Sequence, residues 1–465
     1  MKLEDIARLP ARCLAYLVGK ENFVSFATNS ADTRTKNRAG IVNRIISRVR
    51  NSQMARNTLW MFLAHGLRIV IEAVYFVLIA RALHVQGYGT LVSVGALVGI
   101  LSPFAGMGTG YLLIKKVARD VTSYKRCLGN ALLMVLISGA ALMVIALSVS
   151  KFVFPAKIPL TLLILIAVSD FFFARVVEIS GQAFQAFHRL KRTALIQILP
   201  NILRLIAIAS LSTFVTAPTV LQWGYLNLLC TFICMSIGMW LVHKELGRPS
   251  YTLSGIREQI DEGFYFSVSH TARGVNNDID KTMLARLSTL EATGVYGAAY
   301  RIARVAFTPI LSLLFATYAN FFERGASGIR GSLDYAKKLF PIAGGYSIIV
   351  GILMVAMSPL LPYIMGTDYT DAASALRWLA PLPFLKAVQF IAGDTLTGAD
   401  FQRVRSIIQV IVAGFNVSIN LWLIPRYGWH GAAWASLASD GLLAVLMCLV
   451  VLFLSRRTVV SNNMM

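Results

Sequence analysis

Twelve predominantly apolar stretches, each about 20 residues or longer, follow one another along this 465-residue chain and restrict its fold more than anything else in the sequence. They run approximately over 57–82, 87–114, 127–150, 159–187, 193–214, 219–242, 263–287, 295–322, 339–361, 372–398, 406–425 and 431–454. Hydrocarbon offers backbone N–H and C=O groups no water, so a chain that crosses it must bond those groups within each segment, as a helix does. Composition agrees: 56% of residues are hydrophobic and 14% charged, against roughly 25% charged in soluble domains. The expected fold class is an all-α integral membrane protein with twelve transmembrane helices.

A net charge of +22 would suit nucleic acid, so the placement of the basic residues decides its meaning. Thirty of the 44 Lys and Arg residues fall in the N-terminal tail, the even-numbered gaps between stretches and the C-terminal tail, while Arg81, Lys151, Lys157 and Arg426 lie in or beside the odd-numbered gaps. This is the positive-inside pattern, and it places both termini in the cytoplasm. Attraction to anionic membrane lipids is a by-product. No aromatic-basic module supports a nucleic-acid partner. Cys13, Cys127, Cys230, Cys234 and Cys448 form no metal-type spacing with histidines and read as apolar packing. Gly19, Lys20, Glu21 and Asn22 interrupt the N-terminal apolar run that a secretory signal would need.

Residues 1–55 are polar and basic. Ile41, Ile45, Ile46 and Val49 recur at helical spacing among Arg44, Arg48 and Arg50, which fits either an amphipathic helix on the cytoplasmic leaflet or a disordered tail. Met54 stands where an internal start would precede the first stretch.

The remainder is a duplication. At an offset of 205, His65, Arg68, Val70, Ala80 and Arg81 match His270, Arg273, Val275, Ala285 and Arg286. Tyr88 and Gly89 then match Tyr296 and Gly297, and Gly181, Ile196 and Gln197 match Gly393, Ile408 and Gln409. A six-span unit crosses an even number of times, so its copy enters from the same side. The expectation is an N-lobe over 56–242, a polar cytoplasmic connector over 243–262, a C-lobe over 263–455 and a tail over 456–465, the two lobes being parallel repeats about an axis normal to the membrane.

Two motifs carry a family resemblance: Asp280-Lys281 through Gly294-Val295-Tyr296-Gly297-Ala298-Ala299-Tyr300-Arg301, and Leu423-Ile424-Pro425-Arg426-Tyr427-Gly428-Trp429-His430-Gly431-Ala432-Ala433. Over about residues 56–455 the chain resembles the polysaccharide transporters of the multidrug/oligosaccharidyl-lipid/polysaccharide superfamily, most of all the O-antigen or exopolysaccharide flippases. The resemblance implies a two-lobed bundle of twelve helices in the bacterial inner membrane. Its cargo would be an undecaprenyl-diphosphate-linked oligosaccharide, and its partners membrane lipids together with the polysaccharide polymerase and export machinery.

The residues themselves bear on that cargo. Ten bases lie inside the stretches: Arg68, Arg175, Arg204, Arg273, Lys281, Arg286, Arg301, Arg304, Arg377 and Lys386. Seven acids accompany them: Glu72, Asp170, Glu178, Asp278, Asp280, Asp394 and Asp440. At roughly 2.5–3.5 kcal/mol per central charge, so many cannot all face lipid. Arg68 and Glu72, Arg175 and Glu178, and Asp278 and Lys281 share helix faces, yet a surplus of positive charge remains even with every acid paired. That surplus suits a diphosphate, which the guanidinium fork grips at two oxygens.

The candidate substrate-binding residues are Arg68, Arg273, Arg301, Arg304, Lys281 and Lys386. For Arg68 and Arg273 the alternative is an inter-helix ion pair; for Arg301 and Arg304 it is snorkelling to the interface. Glu72, Asp170, Asp278 and Asp280 are candidates either for coupling to a H+ or Na+ gradient or for fixed counter-ions. His65 and His270 either titrate or fasten helices together. No other cofactor is implied.

Ser102-Pro103 with Gly106, Gly108 and Gly110, and Thr308-Pro309, mark places where helices can bend. Gly95 and Gly99 suit either bending or close helix packing. No P-loop or metal constellation is present, and each odd-numbered gap is about ten residues or fewer. A membrane enzyme of polysaccharide assembly would be expected to carry a larger loop there. A drug/cation antiporter of the same superfamily would be expected to line its cavity with acids, against the basic surplus. Both readings therefore rank below a secondary-type flippase.

Overall fold

The computed structural model describes residues 53–251, 256–326 and 328–462, with side chains from Gly66 onward except at 118–119, 252–266, 269–270, 272–273, 316, 319, 327 and beyond 456. The tail over 1–52, with its amphipathic or disordered reading, and part of the 243–262 connector lie outside the described residues. Every regular element among the described residues is helical.

The order is α1 (Gln53–Leu101), α2 (Thr109–Arg119), α3 (Tyr124–Val153), α4 (Leu160–Val168), α5 (Ala174–Ala186), α6 (Leu190–Phe214), α7 (Val220–Glu245), α8 (Ile256–Leu287), α9 (Leu290–Gly325), α10 (Ile329–Met357), α11 (Leu361–Met365), α12 (Thr370–Trp378), α13 (Leu382–Gly398), α14 (Gln402–Tyr427) and α15 (Trp429–Asn462). Starts are fixed locally. Thr219 and Gln222 form a reciprocal cap on α7, and Thr289 Oγ1 accepts from Ala292 N at 3.0 Å at the head of α9.

Nine helical segments among the described residues are long and apolar enough to cross a membrane. Twelve were expected, and three local causes account for the difference. The first two expected stretches merge because α1 runs on through a kink at His84, whose φ of 54° and ψ of 173° are non-helical. The seventh, α8, carries Arg273, Asp278, Asp280, Lys281 and Arg286 and is too polar to qualify. The tenth is broken between α12 and α13, where Pro381 and Pro383 stand.

The second stretch is interrupted rather than bent. A 3-10 turn over Ser102–Phe104 leads into Gly106, Met107 and Gly108, all at positive φ, before α2 begins. The unwound backbone is buried against neighbours: Gly106 N donates to Ser138 Oγ at 2.8 Å, and Arg175 Nη2 donates to Ser102 Oγ at 2.6 Å. Irregular backbone at this depth is tolerated only where protein satisfies it.

Apolar packing is distributed unevenly from one end of the bundle to the other. At the end carrying His84, one cluster joins both halves, with Ile79, Leu83 and Trp223 packed together with Tyr296, Leu376 and Ile424. At the opposite end each half has its own core, for instance Leu128, Phe184 and Val242 in one and Leu396, Val412 and Met447 in the other.

The seam at the His84 end uses the duplicated Tyr-Gly pairs. A Cβ on Gly89 would lie 1.8 Å from the Leu290 carbonyl oxygen, and one on Gly297 would lie 2.8 Å from Val92 Cγ1. Backbones that approach so closely require the missing side chain. Polar contacts cross the same seam. Arg81 donates to the Ile364 and Tyr363 carbonyls at 2.5 and 2.7 Å, His84 Nδ1 meets Asp368 at 2.9 Å, and the buried Tyr369 hydroxyl donates to the Ala80 carbonyl at 3.1 Å.

Candidate functional site

Between the halves lies a cavity of about 540 Å3, lined from one side by α1, α4, the turn before α5, α6 and α7, and from the other by α8 and α9. Five bases reach it, Arg68, Arg204, Lys281, Arg301 and Arg304, against three acids, Glu72, Asp170 and Asp278. Of the twelve candidates drawn from the sequence, seven therefore line one space.

Their partners separate them. Arg68 Nε donates to Glu72 at 2.6 Å, with both side chains partly open. Arg304 donates to Asp278 at 2.9 Å and is 57% exposed. Arg301 stacks its guanidinium over Phe76 at 5.0 Å and Tyr75 at 5.7 Å, across the seam. The alternative of snorkelling to the interface thus gives way at Arg301 and Arg304 to positions inside the bundle.

Lys281 is different. Its ammonium donates to the Asn277 carbonyl at 2.5 Å, Asp278 at 2.9 Å and Asp280 at 3.2 Å, which occupies all three of its hydrogens. Only 4% of the side chain is exposed. It serves as scaffold beneath Asp278 rather than as a free donor.

Asp280 does not line the cavity. It accepts from the Tyr296 hydroxyl, from Ser436 at 3.1 Å and from the Lys281 amide at 2.8 Å, tying α8 to α9 and α15. Lys386 lies apart as well, bonded to Asn277 Oδ1 at 3.0 Å and Asp440 at 3.3 Å beside a separate space of about 40 Å3. The backbones of His65, His270 and Arg273 belong to α1 and α8, but their side chains lie outside the described residues.

Several lining residues were not among the sequence candidates. Arg204, counted there only as an intramembrane base, enters from α6 with its Nε buried and without a hydrogen-bond partner among the described residues. Asn201, three positions earlier on the same helix face, Asn227 and Trp223 of α7, and Tyr75 complete the wall. Arg204 and Asn201 carried a usable signal, two polar groups at i and i+3 inside an apolar stretch.

Gly95 and Gly99 also line the cavity, and nothing lies within 4 Å of where a Cβ on either would stand. The close-packing alternative fails for both; their effect is to leave room.

Comparison with known proteins agrees with this architecture. Residues 54–319 match the model of a family described as polysaccharide biosynthesis protein. A protein of Escherichia coli (strain K12) described as a putative O-antigen transporter is 24% identical over 234 residues, 48% of this chain. The match covers 54% of that protein, so the chain spans about half the length of the curated relative.

Among solved structures, an inward-facing multidrug resistance MATE family transporter of the MOP superfamily has a TM-score of 0.70 at 15% identity, over 84% of this chain and 96% of its own. An outward-facing structure of a transporter so described scores 0.59 at 16% identity, over 86% and 96%. A MOP superfamily transporter from Pyrococcus furiosus, whose binding pocket is described as reversed in polarity, scores 0.54 at 16% identity, over 86% and 94%. The fold is that of this superfamily, a multi-pass membrane architecture, and the family model covers more than half of the sequence: the chain belongs to the polysaccharide biosynthesis protein family.

Proposed function

We propose that this chain is a transporter, not an enzyme, that moves a polyprenyl-diphosphate-linked oligosaccharide from the cytoplasmic to the periplasmic leaflet of the inner membrane by alternating access. The observation that carries the reading is the cation surplus of a cavity shared by two lobes in the middle of an apolar bundle. Bases left unpaired in such a place are retained for a partner, and a diphosphate supplies it. The polyprenyl tail would stay in lipid while the head group enters. A cationic drug finds the opposite field, which ranks an antiporter of cations below this reading.

With both termini cytoplasmic by the positive-inside rule, the seam at His84 faces the periplasm and the separated cores face the cytoplasm. The higher TM-score to the inward-facing neighbour, 0.70 against 0.59, supports that orientation of the cavity. Loading from the cytoplasmic leaflet would then precede separation of Arg81, His84 and Tyr369 from their partners.

Arg68 and Arg304 are each held by a carboxylate, so an incoming diphosphate competes for both guanidiniums. Glu72 and Asp278 are then the groups at which a coupling cation, H+ or Na+, would exchange against the cargo when the cavity opens to the other side.

The test is reconstitution into proteoliposomes with a fluorescent undecaprenyl-diphosphate-linked oligosaccharide. Arg68→Ala and Arg304→Gln should each slow flipping at least ten-fold, about 1.4 kcal/mol per lost charge-assisted contact. Flipping at the parental rate by both folded variants would end the proposal.

A further inference from the structure

The two walls of the cavity differ in chemistry. The wall from α8 and α9 carries three bases, Lys281, Arg301 and Arg304, against one acid, Asp278. The opposite wall sets Arg68 and Arg204 against Glu72 and Asp170 and adds the amides Asn201 and Asn227, beside the ring pair Tyr75 and Trp223 with centroids 5.6 Å apart.

Asp170 is placed there by a defect in its helix. Residues Ser169–Phe173 form a π-helical turn between α4 and α5, a rare form that often accompanies functional sites. The turn is clamped from behind. Asn227 Nδ2 donates to Ser169 Oγ at 3.0 Å, Ser169 and Thr231 share a hydroxyl bond at 2.7 Å, and the Thr231 hydroxyl donates to the Asn227 carbonyl. Ser169 and Thr231 are buried, so this clamp spends its polarity inside the lobe and leaves the Asp170 carboxylate on the cavity side.

A ligand for this wall must both donate and accept. Phosphate oxygens only accept and are repelled by Asp170; a cation is repelled by Arg204. A vicinal diol satisfies both, with one hydroxyl donating to the carboxylate while accepting from guanidinium or amide. The partly buried Tyr75 ring, backed by the buried Trp223, offers an apolar surface to the C–H face of a sugar ring.

We infer that Asp170, Asn201 and Arg204 form a carbohydrate subsite that takes the sugar next to the diphosphate, while Arg301 and Arg304, with Arg68 from the facing side, take the diphosphate itself. This rests on the proposed function and adds a division of labour within the cavity. Selectivity for glycosylated over bare carrier then resides in the N-terminal half.

The experiment measures binding of purified protein in nanodiscs to undecaprenyl diphosphate and, in parallel, to undecaprenyl diphosphate carrying one glucose, galactose or N-acetylglucosamine. The parent should bind at least one glycosylated lipid about ten-fold more tightly than the bare carrier, the yield of one or two net hydrogen bonds. In Asp170→Asn and Asn201→Ala the preference should fall below about two-fold, with affinity for the bare carrier retained. Arg304→Gln should weaken both ligands together and keep their ratio. Melting curves of each variant establish that it is folded.

A preference that survives in both Asp170→Asn and Asn201→Ala, or a parent that does not discriminate, overturns the subsite while leaving diphosphate binding intact. Parental failure to bind any of the lipids overturns the proposed function, and the subsite with it.

Discussion

Replacing Gly95 and Gly99 with leucine should abolish transport without harming the fold. Both glycines sit on the second arm of α1 with open space where a side chain would project, and both line the cavity. The eight carbon atoms of two leucine side chains, each taking roughly the 30 Å3 of a liquid water, would remove about 240 Å3. That is more than two-fifths of the 540 Å3 present. Removing Gly95 from the helix interior also favours the helix by roughly 0.5–1 kcal/mol, and Gly99 lies in the last turn of α1, so the melting temperature should hold or rise. Flipping of fluorescent lipid-linked oligosaccharide in proteoliposomes should fall at least ten-fold in the double variant, the effect of losing about 1.4 kcal/mol of cargo accommodation. Gly414→Leu is the control: its Cβ also meets nothing within 4 Å, on an exposed face of α14 outside the cavity. A folded Gly95→Leu/Gly99→Leu protein that flips at the parental rate would show that cargo does not pass through this cavity.

Three further outcomes follow from the contacts. Tyr369→Phe removes a buried bond across the seam, about 1 kcal/mol or a roughly five-fold shift toward a state open at the His84 end, and Gly89→Ala should act in the same direction by pressing on the Leu290 carbonyl. Labelling of a Val92→Cys probe by an impermeant thiol reagent from that side should rise in both; unchanged labelling would remove the seam's gating role. Asp278→Asn takes a carboxylate from Arg304 and from Lys281 at once, while Lys281 keeps Asp280 as a partner, and should cost about 1.5–3 kcal/mol, whereas Arg304→Gln, more than half exposed, should cost under about 1 kcal/mol. Equal losses in an unfolding titration would contradict this assignment of Asp278 to the scaffold and of Arg304 to the exposed face of the cavity. Arg405 and Asp394 form a pair at 3.0 Å with each under a tenth exposed, so Arg405→Ala should lose about 3–5 kcal/mol and Arg405→Met/Asp394→Asn should recover most of it; a double variant no more stable than Arg405→Ala would exclude an electrostatic origin.

The helical membrane class is legible because hydrocarbon admits few other solutions, and the three i, i+3 or i+4 ion pairs are legible because helix geometry fixes them: Arg68 with Glu72, Arg175 with Glu178 and Lys281 with Asp278 all form. What spacing along one helix does not convey is which helices meet. Asp280 and Lys281 adjoin in sequence, yet one is sealed by Tyr296 and Ser436 from distant helices and the other sits under the cavity floor. Lys386 has the composition of a site residue and is drawn instead toward Asp440. The π-turn at Ser169–Phe173 lies in a run of apolar and aromatic residues whose local preference is for an ordinary helix, and the clamp that holds it comes from α7, 58 and 62 positions away.

The duplication explains the frame of this molecule and leaves its chemistry to be explained separately. The Tyr-Gly pairs recur in both halves and both serve the seam, as expected where two copies meet about a common axis. The cavity charges do not recur. At the offsets that align the halves, Asp170 and Arg204 face Leu382 and Asn416, while Asp278 and Lys281 face Ala73 and Phe76, and Arg301 and Arg304 face Ser93 and Ala96. Arg68 alone among the cavity charges has a like counterpart, Arg273. A symmetric pore would have kept both sets, since each wall would meet the same cargo. A cargo with a diphosphate at one point and a sugar at the next presents two chemistries side by side, and two lobes that began alike would serve it by losing their likeness only where they touch it.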